Sequence, residues 1–138
     1  MRILVTGSRD WTDRRIIAGA LDDAVRFAPM CEGPIIVIEG GAAGADTLAR
    51  IAATARGWQV ATMKANWNDF GKTAGHIRNN AMVYLMQPAA PGDICLAFIN
   101  ACIKKGCPEP QPHDSHGVTH CMTAAKRTGM KVEEYRSE

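Results

Sequence analysis

A small-residue turn followed by charged side chains comes near the start of the chain. Gly7 and Ser8 would let a ligand approach the backbone closely, and Arg9, Asp10 and Trp11 follow directly. An arginine can bind a phosphate through two parallel hydrogen bonds, and an aromatic ring can stack on a base. The pattern predicts a phosphate-binding turn. The alternative is an ordinary strand-to-helix turn in which Trp11 is a packing residue.

A second turn, at residues 40–46, consists of three glycines and three alanines that lead into Asp46. Where a helix begins directly after such a turn, backbone N–H groups can face an anion. The turn lacks the Gly-Lys-Ser/Thr ending of a Walker loop, and the first turn lacks the spaced glycines of the dinucleotide fingerprint. Asp46 either caps the next helix or holds ribose hydroxyls.

Cationic and amide side chains gather at the predicted start of a further helix. Lys72, Arg78, Asn79 and Asn80 could hold a phosphate or the edge of a base there. The alternative is a solvated helix start.

A long connection at about residues 99–115 carries cysteines and histidines close together. They are Cys102, Cys107, His113, His116, His120 and Cys121. Their spacing, C-x4-C-x5-H-x2-H-x3-H-C, matches no standard zinc-finger pattern. The cluster raises the possibility of a zinc site, but the sequence favours a polar loop there, with no required cofactor.

Short apolar runs alternate with segments of helical periodicity along the whole chain. Strands are predicted at residues 3–6, 35–38 and 93–98 and after Gly57 and Gly129; helices are predicted at 13–28, 48–55, 73–86 and 118–127. Alternation of this kind is typical of a three-layer α/β fold, with a central parallel sheet of about five strands flanked by helices. Ligands bind such sheets at the carboxyl ends of the strands, so the four loops should line one site.

Length and composition predict one domain over residues 1–138, because 138 residues and 46% hydrophobic content suffice for a single core. A net charge of +2 is mild for a dedicated nucleic-acid binder. The apolar run at the amino terminus is too short for a membrane span or signal peptide, and five cysteines form no paired framework. We expect a cytoplasmic protein with reduced thiols and no membrane contact. The apolar run 81–86 indicates either a homodimer interface or a core helix.

Taken together, residues 7–10, 40–46, 71–79 and 115–120 resemble the YspA-type (cpYpsA-related) branch of the SLOG superfamily. The resemblance implies a Rossmann-like fold that binds or processes nucleotides or derivatives such as ADP-ribose-like ligands. Carried over position by position, it marks the lining of the ligand site as Gly7, Ser8, Arg9, Asp10, Gly40, Gly41, Gly44, Asp46, Lys72, Arg78, Asn79, Ser115, Gly117 and Thr119.

The chain departs from one enzymatic branch of that superfamily. The Lonely guy phosphoribohydrolases carry a P-G-G-x-G-T-x-x-E signature whose glutamate helps to break an N-glycosidic bond. The corresponding stretch here, residues 115–122, contains no glutamate.

Three functions therefore compete. The first is a binding or sensing module for a nucleotide-like small molecule. The second is a hydrolase of a nucleotide or ribosyl bond, with Asp10, Asp46 or His120 as the candidate general acid or base. The third, less favoured because of the mild charge, is single-stranded nucleic-acid binding, in which Trp11 and Trp67 would stack on bases.

Overall fold

A five-stranded, entirely parallel sheet forms the centre of the computed structural model, which describes residues 1–29 and 33–137. The strands are β1 (Arg2–Gly7), β2 (Ile36–Glu39), β3 (Gln59–Thr62), β4 (Ile94–Ile99) and β5 (Lys131–Arg136). They lie in the order β3-β2-β1-β4-β5. The predicted α/β class with five parallel strands is confirmed.

Helices cover both faces of this sheet. They are α1 (Arg14–Arg26), α2 (Ala45–Ala55), α3 (Trp67–Phe70), α4 (Ala74–Leu85) and α5 (His116–Arg127), with a 3-10 turn at Gly71–Thr73. Helices α1 and α2 pack on one face, and α4 and α5 pack on the other. The four predicted helices are confirmed, whereas the short α3 lies in a segment that the sequence predicts as loop.

The alternation of side chains along β1 supplies a separate core for each face. Ile3 and Val5 belong to the cluster under α1 and α2, whereas Leu4 belongs to the cluster under α4 and α5. Every residue of β4 is buried, as expected for a central parallel strand covered on both sides. Small residues let α2 lie close to the sheet, since a Cβ on Gly7 would overlap with that of Ala45.

Local signals account for where several elements begin and end. Asp13 accepts hydrogen bonds from the backbone N–H groups of Arg15 and Ile16, which starts α1. Gly57 and Gly129 follow α2 and α5 with φ of +71° and +82°, the left-handed conformation that glycine adopts most easily. The two helix-to-strand joints are therefore where the sequence predicts them.

The apolar run 81–86 is divided between core and surface. Met82, Val83 and Met86 are buried in the core under α4, whereas Tyr84 and Leu85 are exposed. Core packing explains the first three residues, and a homodimer interface stays a prediction.

Two further sequence expectations bear on the whole chain. No helix among residues 1–29 and 33–137 is long and apolar enough to cross a membrane. Cys95, Cys102, Cys107 and Cys121 are free thiols, and Cys31 lies outside the described residues.

The order of the strands creates an opening at one edge of the sheet. From β1 the chain winds outward through β2 and β3, then crosses back to place β4 on the other side of β1. The loops that follow β1 and β4 therefore diverge at the carboxyl ends of these two strands, which is where open α/β sheets bind ligands.

Candidate functional site

A cleft of about 380 Å³ opens at this divergence. The loops after β1, β2, β3 and β4 and the start of α5 all contribute to its wall. The volume lies in the range of ordinary small-molecule sites.

Nine of the side chains or backbone positions predicted to form the ligand site line this cleft. They are Gly7, Arg9, Asp10, Asp46, Lys72, Arg78, Asn79, Ser115 and Gly117. Gly40 and Gly41 line an adjoining cavity of about 300 Å³, which shares Arg9, Ala42, Trp67 and Arg78 with the cleft. Thr119 lines a separate surface pocket beside α5, and Ser8 and Gly44 line none of these three cavities.

The charge of the cleft wall is predominantly positive. Arg9, Lys72, Arg78 and Lys104 contribute four cations, against the two carboxyl groups of Asp10 and Asp46. A concave surface with this balance concentrates anions near its wall.

The start of α5 adds backbone donors to these cations. Ser115, His116, Gly117 and Val118 all line the cleft, and the Ser115 side chain caps none of the described amides. The first N–H groups of a helix have no acceptor within the helix and carry a partial positive charge. An anion in the cleft would therefore meet both side-chain cations and the amino terminus of a helix.

Close packing around the glycines of the second turn leaves no room for a Cβ atom. A Cβ on Gly40 would overlap with the guanidinium group of Arg78. Gly44 has a φ of +76°, and a Cβ there would overlap with the backbone carbonyls of Ser8 and Arg9. The Gly44 position joins the first turn to the second, so these glycines shape the site through their packing.

Buried Asp46 holds the glycine turn in place. Its Oδ2 accepts hydrogen bonds from the backbone N–H groups of Gly40 (3.1 Å) and Ala42 (3.2 Å). Burial raises the pKa of Asp46 to about 6, although those two amides and the nearby Arg78 favour the charged form. Gly44, rather than Asp46, occupies the N-cap position of α2.

Arg78 and Asn79 connect three elements around the cleft. Arg78 donates to the carbonyl oxygen of Gly40 through Nη1 and to Asn79 Oδ1 through Nε. Asn79 in turn donates from Nδ2 to the carbonyl oxygen of Gly117, at 3.2 Å. This chain ties the glycine turn to the start of α5, so both residues position the cleft wall as well as lining it.

The two tryptophans lie in different environments. Trp11 is buried, packs edge-to-face on Phe98 and donates from Nε1 to the carbonyl oxygen of Asp13. The prediction that Trp11 offers a stacking face for a base is therefore wrong, because the β1 turn directs the ring into the core. Trp67 is 48% exposed at the cleft, and the Arg9 guanidinium lies 5.5 Å from its ring centroid.

Of the remaining candidate acid–base groups, only Asp10 lines the cleft itself. Asp10 is exposed and accepts a hydrogen bond from Asn100 Nδ2 at 3.3 Å. His120 lines the pocket beside α5, where its ring stacks on His76 with centroids 3.9 Å apart. Burial and the nearby His76 and Arg127 lower the pKa of His120, which favours the neutral ring.

Sequence reasoning missed several residues of the cleft wall. Gly75 and His76 come from the start of α4, and Ile103 and Lys104 come from the long loop after β4. Lys104 and its neighbours lie in a loop without periodicity, so their positions could not be predicted from a repeating pattern. His76 carried a signal, since it lies one helical turn before Asn80 and within the segment that the sequence singles out.

Comparisons with known proteins agree with the resemblance. Residues 1–70 match the sequence profile of the YAcAr family, described as the YspA, cpYpsA-related SLOG family. The chain is 38% identical over 136 residues to the "Gene 61 protein" of Mycobacterium phage D29, a match that covers 95% of this chain and 93% of that protein. No solved structure matches the chain.

Proposed function

The chain belongs to the YspA, cpYpsA-related SLOG family, and from this membership and the cleft we propose that it binds a nucleotide or a nucleotide-derived phosphate as a sensor or binding module. The ligand class includes nucleoside phosphates and ADP-ribose-like molecules. The site is the cleft at the carboxyl ends of β1 and β4.

The observation that carries this proposal is that cationic side chains surround the amino terminus of α5, which has no side-chain cap. Arg9, Lys72, Arg78 and Lys104 surround the cleft into which the first turn of α5 faces. A phosphate group matches both kinds of donor, because it carries negative charge and several acceptor oxygens.

The adjoining cavity gives room for the rest of a nucleotide. Arg9, Arg78 and Trp67 border both spaces, so a molecule with a phosphate in the cleft can extend past these side chains. The exposed face of Trp67 suits a base or ribose that lies beside the phosphate. We assign the phosphate to the α5 end and the nucleoside to the Trp67 end.

The test is thermal unfolding of the purified chain against ADP-ribose, NAD, AMP, cyclic nucleotides and guanine nucleotides. A ligand that binds only the folded state raises the melting temperature. Arg9→Ala should weaken the affinity by about 1.5–3 kcal/mol, roughly a factor of 10 to 150, because a charge-assisted hydrogen bond to phosphate is lost. Isothermal titration calorimetry would measure that factor.

Arg50→Ala provides the matched control. Arg50 is an exposed arginine on α2 outside the cleft, so its loss should leave the affinity unchanged. An equal loss of affinity in both variants would mean that the effect comes from the change in net charge and not from a contact of Arg9. The absence of any melting shift across the panel would contradict the proposal.

A hydrolase is the second candidate, and one observation favours it. Asp46 lines the cleft with a pKa raised to about 6 by burial, which suits a general acid or base near neutral pH. Turnover of a bound nucleotide that disappears in Asp46→Asn, with binding retained, would establish this activity. Binding without turnover in the wild type would leave the sensor function.

A further inference from the structure

Two thiols and two imidazoles converge at the long connection between β4 and α5. Cys102, Cys107 and His113 lie in that connection, and His116 is the first residue of α5. One sulfur or nitrogen atom from each lies within 4.8 Å of the corresponding atoms of the other three. The four residues are hereafter the Cys2His2 cluster.

The spacing within the cluster suits a small tetrahedral ion. Cys107 Sγ lies 3.5 Å from His113 Nε2 and 3.3 Å from His116 Nε2, and the two Nε2 atoms are 3.1 Å apart. Zinc–sulfur bonds of about 2.3 Å and zinc–nitrogen bonds of about 2.0–2.1 Å place neighbouring ligand atoms roughly 3.3–3.8 Å apart. The observed separations fall within a few tenths of an ångström of that cage.

The backbone of the connection brings these residues together. Ala101 and Asp114 form an antiparallel bridge, the N–H of Cys102 donates to the carbonyl oxygen of His113 at 2.7 Å, and that of Ser115 donates to Asn100. The connection therefore folds back on itself and places Cys102 directly beside His113.

The orientation of His113 is the one that a metal requires. Its Nδ1 lies 2.9 Å from the carbonyl oxygen of Pro110, so Nδ1 carries the proton and Nε2 presents its lone pair to the cluster. Histidines that bind metals are commonly held by such a hydrogen bond from the other ring nitrogen. A hydrogen bond between the two imidazoles would explain the contact between His113 and His116, but not why both sulfur atoms lie beside them.

We propose that the Cys2His2 cluster binds one structural Zn²⁺ ion. Two thiolates exclude the hard cations Mg²⁺ and Ca²⁺, and four protein ligands in a tetrahedron make the closed coordination of a structural site. Cys102 and His116 also line the cleft, so the ion fixes the wall that carries Ile103 and Lys104. This proposal differs from the interpretation favoured by the sequence, a polar loop, which rested on a spacing, C-x4-C-x5-H-x2-H, unlike standard fingers.

The first experiment measures the metal content of the full chain, purified without chelator and with any histidine tag removed. Inductively coupled plasma mass spectrometry should find one zinc per chain. Cys107→Ser and His113→Gln should each lose most of it. Cys121→Ala and His120→Gln remove a thiol and an imidazole that lie outside the cluster, and both should keep one zinc per chain.

A second measurement guards against variants that fail to fold. Wild-type chain stripped of metal should bind one Co²⁺ with the visible ligand-field bands of tetrahedral cobalt and a thiolate-to-cobalt charge-transfer band, and Zn²⁺ should then displace the cobalt. Chelation should lower the melting temperature, and Zn²⁺ should restore it. None of these readouts needs a nucleotide, so they stand or fall independently of the proposed ligand.

Three results would overturn the zinc site. The first is a natively folded wild-type chain that is metal-free and takes up cobalt without tetrahedral bands. The second is zinc that the Cys107→Ser and His113→Gln variants retain as fully as the wild type. The third is a Cys102–Cys107 disulfide, detected by mass spectrometry, in chain that has been purified under reducing conditions.

Discussion

At the scale of single residues, Asp46 serves two purposes that compete. Its carboxylate accepts two backbone N–H groups of the glycine turn, which favours the charged form. Its burial favours the neutral form more strongly, and the pKa rises to about 6. Asp46 is a buried carboxyl group with a raised pKa, and it lies beside a cleft lined by cations. Its protonation can therefore respond to an anion that binds in the cleft.

The raised pKa of Asp46 makes a prediction about stability and pH. Because the folded state holds the Asp46 proton up to about pH 6 and the unfolded state only up to about 3.8, folding takes up a proton between these values. The stability of the wild type relative to Asp46→Asn should therefore rise by about 1 kcal/mol as the pH falls from 7 to 5. Urea unfolding of both proteins at the two pH values measures this difference.

The asparagine variant is a suitable reference because it keeps an oxygen acceptor for the amides of Gly40 and Ala42 and does not titrate. Subtracting its unfolding free energy removes the contributions of the other titratable groups. A difference that stays constant between pH 7 and pH 5 would show that Asp46 has an ordinary pKa in the folded chain.

At the scale of elements, the junction between the first two turns is closely packed. Gly44 lies where the turn before α2 passes over the carbonyl groups of Ser8 and Arg9. The N–H of Ala45 also donates to the carbonyl oxygen of Ser8, at 3.3 Å. Two strand-to-helix turns are thereby joined into one wall of the cleft.

Two glycine substitutions compare this junction with a turn that faces open space. Gly44 and Gly57 have φ of +76° and +71°, but a Cβ on Gly57 would meet open space. Gly57→Ala should therefore cost only the strain of a left-handed residue, about 1–2 kcal/mol. Gly44→Ala should cost roughly 2 kcal/mol more, because its methyl group overlaps with two carbonyls and because its ψ of −125° lies outside the left-handed helical region.

Chemical denaturation of the two alanine variants compares these costs. Equal losses of stability would mean that the turns move apart at little cost. The close contact at Gly44 would then contribute nothing to the free energy of unfolding. A larger loss for Gly44→Ala, with retained helix content by circular dichroism, would support the rigid junction.

The elements themselves could be predicted because each carries a local signal. Apolar β-branched runs mark β1, β2 and β4, while Gly57 and Gly129 mark the ends of α2 and α5. The short α3 was missed since four residues give no periodicity. The ring of Trp11 was misplaced because the sequence shows that a tryptophan follows the turn, but not which way the backbone points it.

The proximity of the four residues of the Cys2His2 cluster could not be predicted, for a similar reason. The spacing of cysteines and histidines can be compared only with the spacings of known zinc fingers. The proximity of Cys102 and His113 depends instead on a backbone bridge between residues 101 and 114, which no local sequence pattern predicts. Candidate site residues were easier to predict, because a parallel sheet brings the ends of all its strands to one edge.

At the scale of the whole molecule, the carboxyl and amino ends of the strands differ in function. The carboxyl edge holds the cleft and its cations. At the amino edge, Asp93 before β4 accepts hydrogen bonds from Arg2 through Nε (3.0 Å), Nη2 (2.6 Å) and the backbone N–H (2.8 Å). Arg2 also donates to the carbonyl oxygens of Leu85, Met86 and Pro88, so it joins β1 to the end of α4.

This division predicts that stability and binding can be changed separately. Asp93→Ala should destabilise the fold by about 3 kcal/mol, because it leaves the half-buried guanidinium of Arg2 without its carboxylate. Nucleotide affinity at a temperature where the variant remains folded should equal that of the wild type, since the lost contacts lie at the opposite edge from the cleft. Urea unfolding and calorimetric titration of the same sample check both halves of the prediction.

The pH dependence gives a further check on the same pair. Burial tends to raise the pKa of Asp93, but the hydrogen bonds from Arg2 and the Ala90 amide outweigh it and hold the pKa below its usual value. The stabilisation is therefore complete above the unfolded-state pKa of about 3.8 and is lost as the pH falls through the lower folded-state value. The gap between wild type and Asp93→Ala should stay constant from pH 7 to pH 5 and close only in stronger acid. Closure of that gap already at pH 5 would mean that the hydrogen bonds from Arg2 and Ala90 do not hold the pKa of Asp93 below its usual value. A loss of nucleotide affinity in Asp93→Ala would mean that the two ends of the sheet are coupled and that the Arg2–Asp93 pair helps to shape the site.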